Sequence, residues 1–313
     1  MGATTRDLHI DTFQSQVAIN YRPPGGIADA IFPVVNVARQ SNNYPVWSKA
    51  DWFRVEDTTR APGDEAKAVE LGVSCGTYFA DNYAAKARLL DEEMANSDLG
   101  WGATLQSKTE LATSKLWLDW EDRLATLALT DANVWSVSAV ASAWGTANAT
   151  PFTTLSDKLL AIHDNTGYRP NRLLMGYKAW ELFRRSGEVK DLLYPHGGGI
   201  AGQDQAASLL EVDQVLVGRA LKNTAAEGQS ATMSALWGAE VIAYYAPSAP
   251  SLDQPSWGYT FRWNGPNLPA MTAQIHPYNS VRHAQEVEIG VHQDEKITAT
   301  EMAYKLTAVD SST

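Results

Sequence analysis

The chain has 313 residues, 44% hydrophobic and 19% charged, a composition that excludes fibrous and highly charged disordered classes and suffices for a large core. Its 25 lysines and arginines against 36 acids give a net charge of −11, which opposes broad contact with nucleic acid or anionic lipid. The single cysteine, Cys75, excludes an intrachain disulfide, no run of 18 apolar residues could cross a bilayer, and the acid and histidine within Met1–Ile10 do not suit a secretory signal, so the chain is expected to work where it is made.

The first 43 residues carry Pro23-Pro24-Gly25-Gly26 and then the apolar run Ile31-Phe32-Pro33-Val34-Val35-Asn36-Val37, with little helical period before it; an extended arm ending in a strand is predicted. A β-prone run at 44–49 leads into charges and breakers over 51–67, after which Val69, Leu71 and Val73 alternate with Glu70, Gly72 and Ser74. These are the two legs of a long hairpin excursion, with a reach on the order of 40 to 60 Å if fully extended. Asp91-Glu92-Glu93 reads as a solvated turn or helix start. Residues 104–130 lack Gly and Pro and put Trp117, Trp120, Leu124 and Leu127 at helical spacing, predicting a helix of roughly 25 residues, about 40 Å long, capped by Thr104. The small-residue stretch 136–150 reads as a linker, and a second unit of alternating helices and strands is expected from Pro151. It comprises a helix over 154–165 stopped by Gly167, a buried strand at 173–175 and a helix over 177–186 closed by Gly187. Segments 214–218, 232–237 and 241–245 follow as neighbouring strands of one sheet, and the chain ends in strands between 285 and 309.

Several motifs resemble catalytic signatures, and each has a simpler explanation. Gly72-Val73-Ser74-Cys75-Gly76 fits a nucleophile elbow and His196-Gly197-Gly198-Gly199 fits a lipase oxyanion loop, which together suggest a serine esterase using Ser74. The oxyanion loop should precede the elbow, whereas here it follows, and Ser74 lies in an alternating strand where Gly72 and Gly76 serve as thin points against another backbone. Gly197, Gly199 and Gly202 match a dinucleotide fingerprint without the strand that must lead into it, so the glycine run reads as a mobile loop. Asp7, His9 and Asp11 could share a strand face, but an unpacked arm would not preorganise them for a metal. His276, His283 and His292 are expected in structural hydrogen bonds, and Cys75 as a packed small side chain. No catalytic residue, cofactor or metal is assigned. Eleven tryptophans and twelve tyrosines exceed what one core usually needs, and these residue types also anchor interfaces.

The order of elements, together with particular phrases, resembles the major capsid proteins of tailed bacteriophages, the Hong-Kong-97-like fold. The phrases are Ile31-Phe32-Pro33-Val34-Val35, Tyr44-Pro45-Val46-Trp47 through Arg54, and Arg60-Ala61-Pro62-Gly63 for the arm and extended loop. Thr166-Gly167-Tyr168-Arg169-Pro170-Asn171, Val215-Leu216-Val217-Gly218-Arg219-Ala220, and Tyr244-Tyr245-Ala246-Pro247 through Gly258-Tyr259-Thr260-Phe261 resemble its axial domain and return. The resemblance implies an α+β fold divided into an N-terminal arm (1–43), an extended loop (44–83), a peripheral domain with a spine helix (84–150), a mixed axial domain (151–275) and peripheral return strands (276–313).

It further implies a non-enzymatic shell subunit that self-assembles into hexamers and pentamers of an icosahedral head, enclosing double-stranded DNA without sequence-specific binding. Trp47, Trp52, Phe53, Arg54 and Arg60 would then lie on the loop that overlaps a neighbouring subunit, and Trp117, Trp120 and Leu124 on the spine helix. His196, Gly197, Gly198 and Gly199 would lie near the capsomer centre. A hairpin projecting from a monomer exposes apolar and backbone groups that only a neighbour can satisfy. The negative net charge suits a container that holds DNA without gripping it. Because the arm begins almost at Met1, a separate scaffolding protein is expected as partner, with a portal and a decoration protein. Membrane contact is not expected. Crosslinking of the prototype's kind would draw on Lys49 or Lys67, candidates by position alone. Localisation follows as the virion, with assembly in the host bacterial cytoplasm. The alternatives are an encapsulin-like nanocompartment shell, distinguished by its cargo, and the Ser74 esterase.

Overall fold

A computed structural model of the chain describes residues 11–23, 25–46, 55, 59–65, 74–98, 100–193, 200–252, 254–265, 271–307 and 309–310. Two five-stranded sheets share one long helix. The helix, α4 (Gly100–Leu129), follows α1 (Thr12–Asn20), α2 (Ala28–Ile31) and α3 (Asp91–Ala95). At 30 residues it is about 45 Å long. It begins four residues before the predicted cap. Gly100 and Gly102 lie in its first turn, and the Thr104 hydroxyl donates back to the Gly100 carbonyl at 2.9 Å.

The first sheet is built on β13 (Ala284–Ile297). On one side β13 pairs with β4 (Asp81–Leu90), and elsewhere along its length with β11 (Gly258–Trp263) and β12 (Thr272–Ile275), all antiparallel; β1 (Val34–Val37) joins β11 in parallel. Alternation decides which side chains meet the helix. Ala87 and Leu89 of β4 and Val287 and Ile289 of β13 pack with Leu105, Ala112 and Leu116 of α4, while Lys86 and Arg88 face away.

The second sheet has the order β5 (Ser136–Ala139), β14 (Ala303–Thr307), β10 (Val241–Tyr244), β6 (Arg172–Gly176), β7 (Gln214–Gly218). It is buried on both faces. Leu173, Met175, Val215 and Val217 point into a core formed with α5 (Pro151–Thr166), α6 (Tyr177–Arg185), α7 (Gly187–Leu193) and α8 (Gln203–Leu210). Their neighbours Leu174, Leu216, Ile242 and Tyr244 point the other way, into a core with Trp117, Trp120 and Leu124 of α4. The near-continuous apolar runs of these strands have this two-faced burial as their cause.

Several expectations are corrected. The arm contains a helix: α1 escapes the periodicity test because its buried face includes Gln14 and Ser15, and it starts where the Asp11 carboxylate accepts the Gln14 amide at 2.9 Å. The 136–150 linker contains β5, held in parallel by β14. Ser186, not Gly187, closes α6, and Gly187 opens α7. Segment 232–237 is not in the large sheet; β9 (Met233–Ala235) pairs with β8 (Leu221–Asn223) in a separate exposed ribbon. The sheets also cross the expected ranges, since β11 and β12 join β13 and β14 joins β10.

Candidate assembly surfaces

The hairpin leaves the body on β2 (Ser41–Val46) and returns on β3 (Ser74–Phe79), paired from Ser41 with Phe79 to Val46 with Ser74. Its base is anchored by aromatic stacking. Tyr78 stacks on Phe261 of β11 with centroids 4.6 Å apart, Tyr44 lies at 5.2 Å from the same ring, and Tyr259 completes the cluster. Gly76 is opposite Tyr44, and a Cβ there would lie 2.5 Å from the tyrosine ring, so the glycine lets the ring fold across the ribbon. The thin point expected at Gly76 is therefore real, but it faces a side chain. The Phe79 amide donates to Asp294 Oδ2 at 2.9 Å, and Trp263 Nε1 to the Ala38 carbonyl at 3.2 Å.

Trp47, Trp52, Phe53 and Arg54 lie outside the described residues, as do Lys49 and Lys67, the return leg at Val69, Leu71 and Val73, and His196, Gly197, Gly198 and Gly199. Arg60 is described and exposed. Trp117, Trp120 and Leu124 are on α4 as expected, all buried against the second sheet.

The joint between arm, long helix and second sheet turns on Glu121, which sequence reasoning missed. It is 2% exposed; Oε1 accepts Trp237 Nε1 at 2.8 Å and Oε2 accepts the Ile27 amide, at the entrance to α2, at 3.0 Å. Burial pushes its carboxyl up, opposed by those donors and the Ala28 amide. Trp237 in turn lies over Gly218, where a Cβ would stand 2.2 Å from the indole. The second joint is Arg123. Its guanidinium pairs with Glu295 of β13 at 3.1 Å and lies 3.6 Å over the Tyr83 ring of β4. These partners are 172 and 40 residues away in sequence, so spacing carries no signal for them.

The esterase geometry does not form. Ser74 opens an exposed antiparallel strand rather than a strand-to-helix turn, and its hydroxyl donates to the Val46 carbonyl across the ribbon at 3.3 Å. Cys75, expected to be packed, is exposed, because the ribbon side of β3 that carries it has no element over it among the described residues. His276 Nε2 meets Glu288 Oε2 at 2.8 Å, and His283 Nδ1 the Tyr278 hydroxyl at 3.3 Å. The His292 ring lies edge-on to Trp263 at 5.3 Å. Among the described residues no helix is long and apolar enough to cross a membrane.

The fold as a whole is found among solved structures. The chain superposes on a phage-related protein of Bordetella bronchiseptica RB50 with a TM-score of 0.76 and 19% identity, covering 96% of this chain and 98% of that one. It superposes on the capsid of cyanophage P-SCSP1u with a TM-score of 0.57 and 13% identity, covering 98% and 94%. The chain has the capsid fold of tailed bacteriophages. In sequence it is 24% identical over 303 residues to the major capsid protein of Pseudomonas phage JBD67, covering 94% of this chain and 95% of the relative. It is 23% identical over 277 residues to that of Burkholderia phage BcepMu, covering 85% and 87%. No family model matches the chain. The resemblance to phage major capsid proteins is thus borne out from arm to final strands, and neither the nanocompartment nor the esterase alternative is favoured.

Proposed function

We infer that the chain is a phage major capsid protein, a structural subunit whose copies build the shell of the virion. The observation that carries this is the span of the similarity: it covers 94% of the chain, and so includes the hairpin, the long helix and both sheets rather than one module. A structural role accords with the place of Ser74 in an exposed antiparallel strand, where its hydroxyl donates to the Val46 carbonyl. In this reading the subunits form hexamers and pentamers of an icosahedral head around double-stranded DNA, with a scaffolding protein, a portal and a decoration protein as partners, and they assemble in the host cytoplasm. The hairpin beyond its aromatic base, with Trp47, Trp52, Phe53, Arg54 and Arg60, overlaps the neighbouring subunit, while residues 196–199 lie toward the capsomer centre. Within the chain, residues 1–43 act as the arm, 44–83 as the loop, 84–150 and 276–313 as the peripheral domain, and 151–275 as the axial domain, with the strand exchanges already described.

The test is electron microscopy of the expressed chain, alone and co-expressed with a candidate scaffolding protein. Closed particles of uniform diameter are expected; a chain that stays monomeric under both conditions overturns the reading.

A further inference from the structure

We propose that the pocket enclosed by the arm, α4 and the two large sheets binds a small organic anion, its oxyanion head on Arg172 and Arg262 and its apolar body on the opposite wall. The site lies within one chain, so it stands apart from the capsid reading.

The pocket has a volume of about 450 Å³, within the range of small-ligand sites. Four parts of the fold meet there. Arg22 and Asp29 come from the arm, Trp117 and Trp120 from α4, Arg172 from β6 of the second sheet and Arg262 from β11 of the first. Three arginines and one acid line it, in a chain whose net charge is −11. The local charge is opposite to that of the whole.

Arg22 is already paired with Asp29, which leaves two cations. Arg172 donates to the Ala30 carbonyl and Arg262 Nη2 to Gln293 Oε1 at 3.0 Å. Both acceptors are neutral, and among the described residues no carboxylate lies within ion-pair distance of either guanidinium. Glu295 acts on Arg262 only from further away and is itself held by Arg123 at 3.1 Å. Burial pushes the Arg262 guanidinium down to about 10, as expected of a cation short of counter-charge.

The shape of the wall suits an oxyanion. Arg262 lies 5.2 Å over the Trp120 ring, which occupies the face of the guanidinium and leaves its in-plane N–H edge for a carboxylate or phosphate. Arg262 Nε, Trp117 Nε1 and Trp120 Nε1 have no acceptor among the described residues, so this side is rich in donors and poor in acceptors. The opposite wall is apolar, with Pro33 and Val34 at the entrance to β1, and Pro247 and Pro250 in the loop after β10. A bare ion would leave that wall against water, whereas an anion with a short apolar body covers both sides. Bound there, it ties the arm and both sheets together at α4 and stabilises the folded chain by mass action.

The experiment is isothermal titration of the purified full chain with phenyl phosphate and with benzoate at constant ionic strength, each compared with its bare head, inorganic phosphate or acetate. One site per chain is expected for at least one probe, bound at least roughly tenfold tighter than the bare head. Arg172→Gln and Arg262→Gln should each weaken it by about tenfold or more, while Arg169→Gln, an exposed arginine paired with Glu211 outside the pocket, should leave it unchanged. Hydrogen exchange of the wild-type chain reads the site even where a variant fails to fold: the probe should slow segments 27–34 and 245–252 and leave 153–165 unchanged. No saturable binding at millimolar probe, a bare head bound as tightly, or an equal loss in Arg169→Gln overturns the proposal, the last by showing diffuse attraction of anions. Binding by dispersed subunits that vanishes in closed particles assigns the two arginines to an acid of a neighbouring copy, which also overturns it while leaving the capsid reading intact.

Discussion

The sheet of β5, β14, β10, β6 and β7 and the sheet built on β13 share the same long helix, yet one is finished within the chain and the other is not. The first is covered on both faces, by α5 to α8 on one side and by α4 on the other. Among the described residues the second has helices on one face only, a charged ladder of Lys86, Arg88, Glu286 and Glu288 on the other, no strand on the second edge of β4, and the paired base of a hairpin in β2 and β3. Closure gives the subunit its own stability, whereas under the proposed function the open region finds its partners in neighbouring subunits. Stability and assembly should therefore respond to different substitutions.

The largest separation is expected on replacing residues 47–73 by a short Gly-Ser turn. Calorimetry of the subunit should show a nearly unchanged midpoint, while particle yield falls by more than about tenfold, because each lost aromatic contact removes about 1.5–3 kcal/mol of burial and 1.4 kcal/mol is tenfold. A parallel loss of subunit stability would erase the distinction. Next comes Gly218→Ala in the closed sheet, where the new methyl meets Trp237; denaturant unfolding should lose about 3 kcal/mol, with assembly impaired only as far as folding is. Glu121→Ala strands the Trp237 and Ile27 donors at the joint, and a loss of about 2–3 kcal/mol is expected; Trp237→Phe, which removes one donor and keeps the ring, should cost about 1 kcal/mol.

A smaller effect distinguishes His292, whose pKa burial holds below the ordinary 6.5. Below pH 6.5 the unfolded chain takes up the proton more readily than the folded one, so stability falls as pH drops toward the folded pKa and is unaffected above. His292→Gln should flatten the stability profile below about pH 6.5, measured by denaturant midpoints. At the end of the scale, Ser74→Ala should leave both stability and particle yield within error, about 0.5 kcal/mol, since its hydroxyl makes one exposed contact. Loss of an esterase activity in that variant would revive the catalytic alternative.

What was legible in advance follows the same division. α4, α5, β6, β7 and β10 were readable because their apolar spacing repeats the period of the element that buries it. α1 was missed because Gln14 and Ser15 are buried through hydrogen bonds to Thr109 and the Ala273 amide, which leave no apolar stripe. β5 was missed because four small residues become a strand only when β14 pairs with them. The β8–β9 ribbon was assigned to the wrong sheet because alternation fixes which face a residue takes and says nothing about which strand lies next to it. At the hairpin base, Gly76 could be singled out, but its partner Tyr44 could not.

The sequence by itself determined the long helix, the existence of a hairpin excursion, the buried strands and a whole-chain pattern resembling capsid subunits, since these depend on spacing and order along one dimension. Only the tertiary structure decided that Glu121 joins arm, helix and sheet, that Arg123 bridges to β13, that β14 belongs with β10, and that β4 pairs along β13. Each of these is a contact between residues remote in the chain, fixed by the crossing of packed layers, and no local periodicity encodes it.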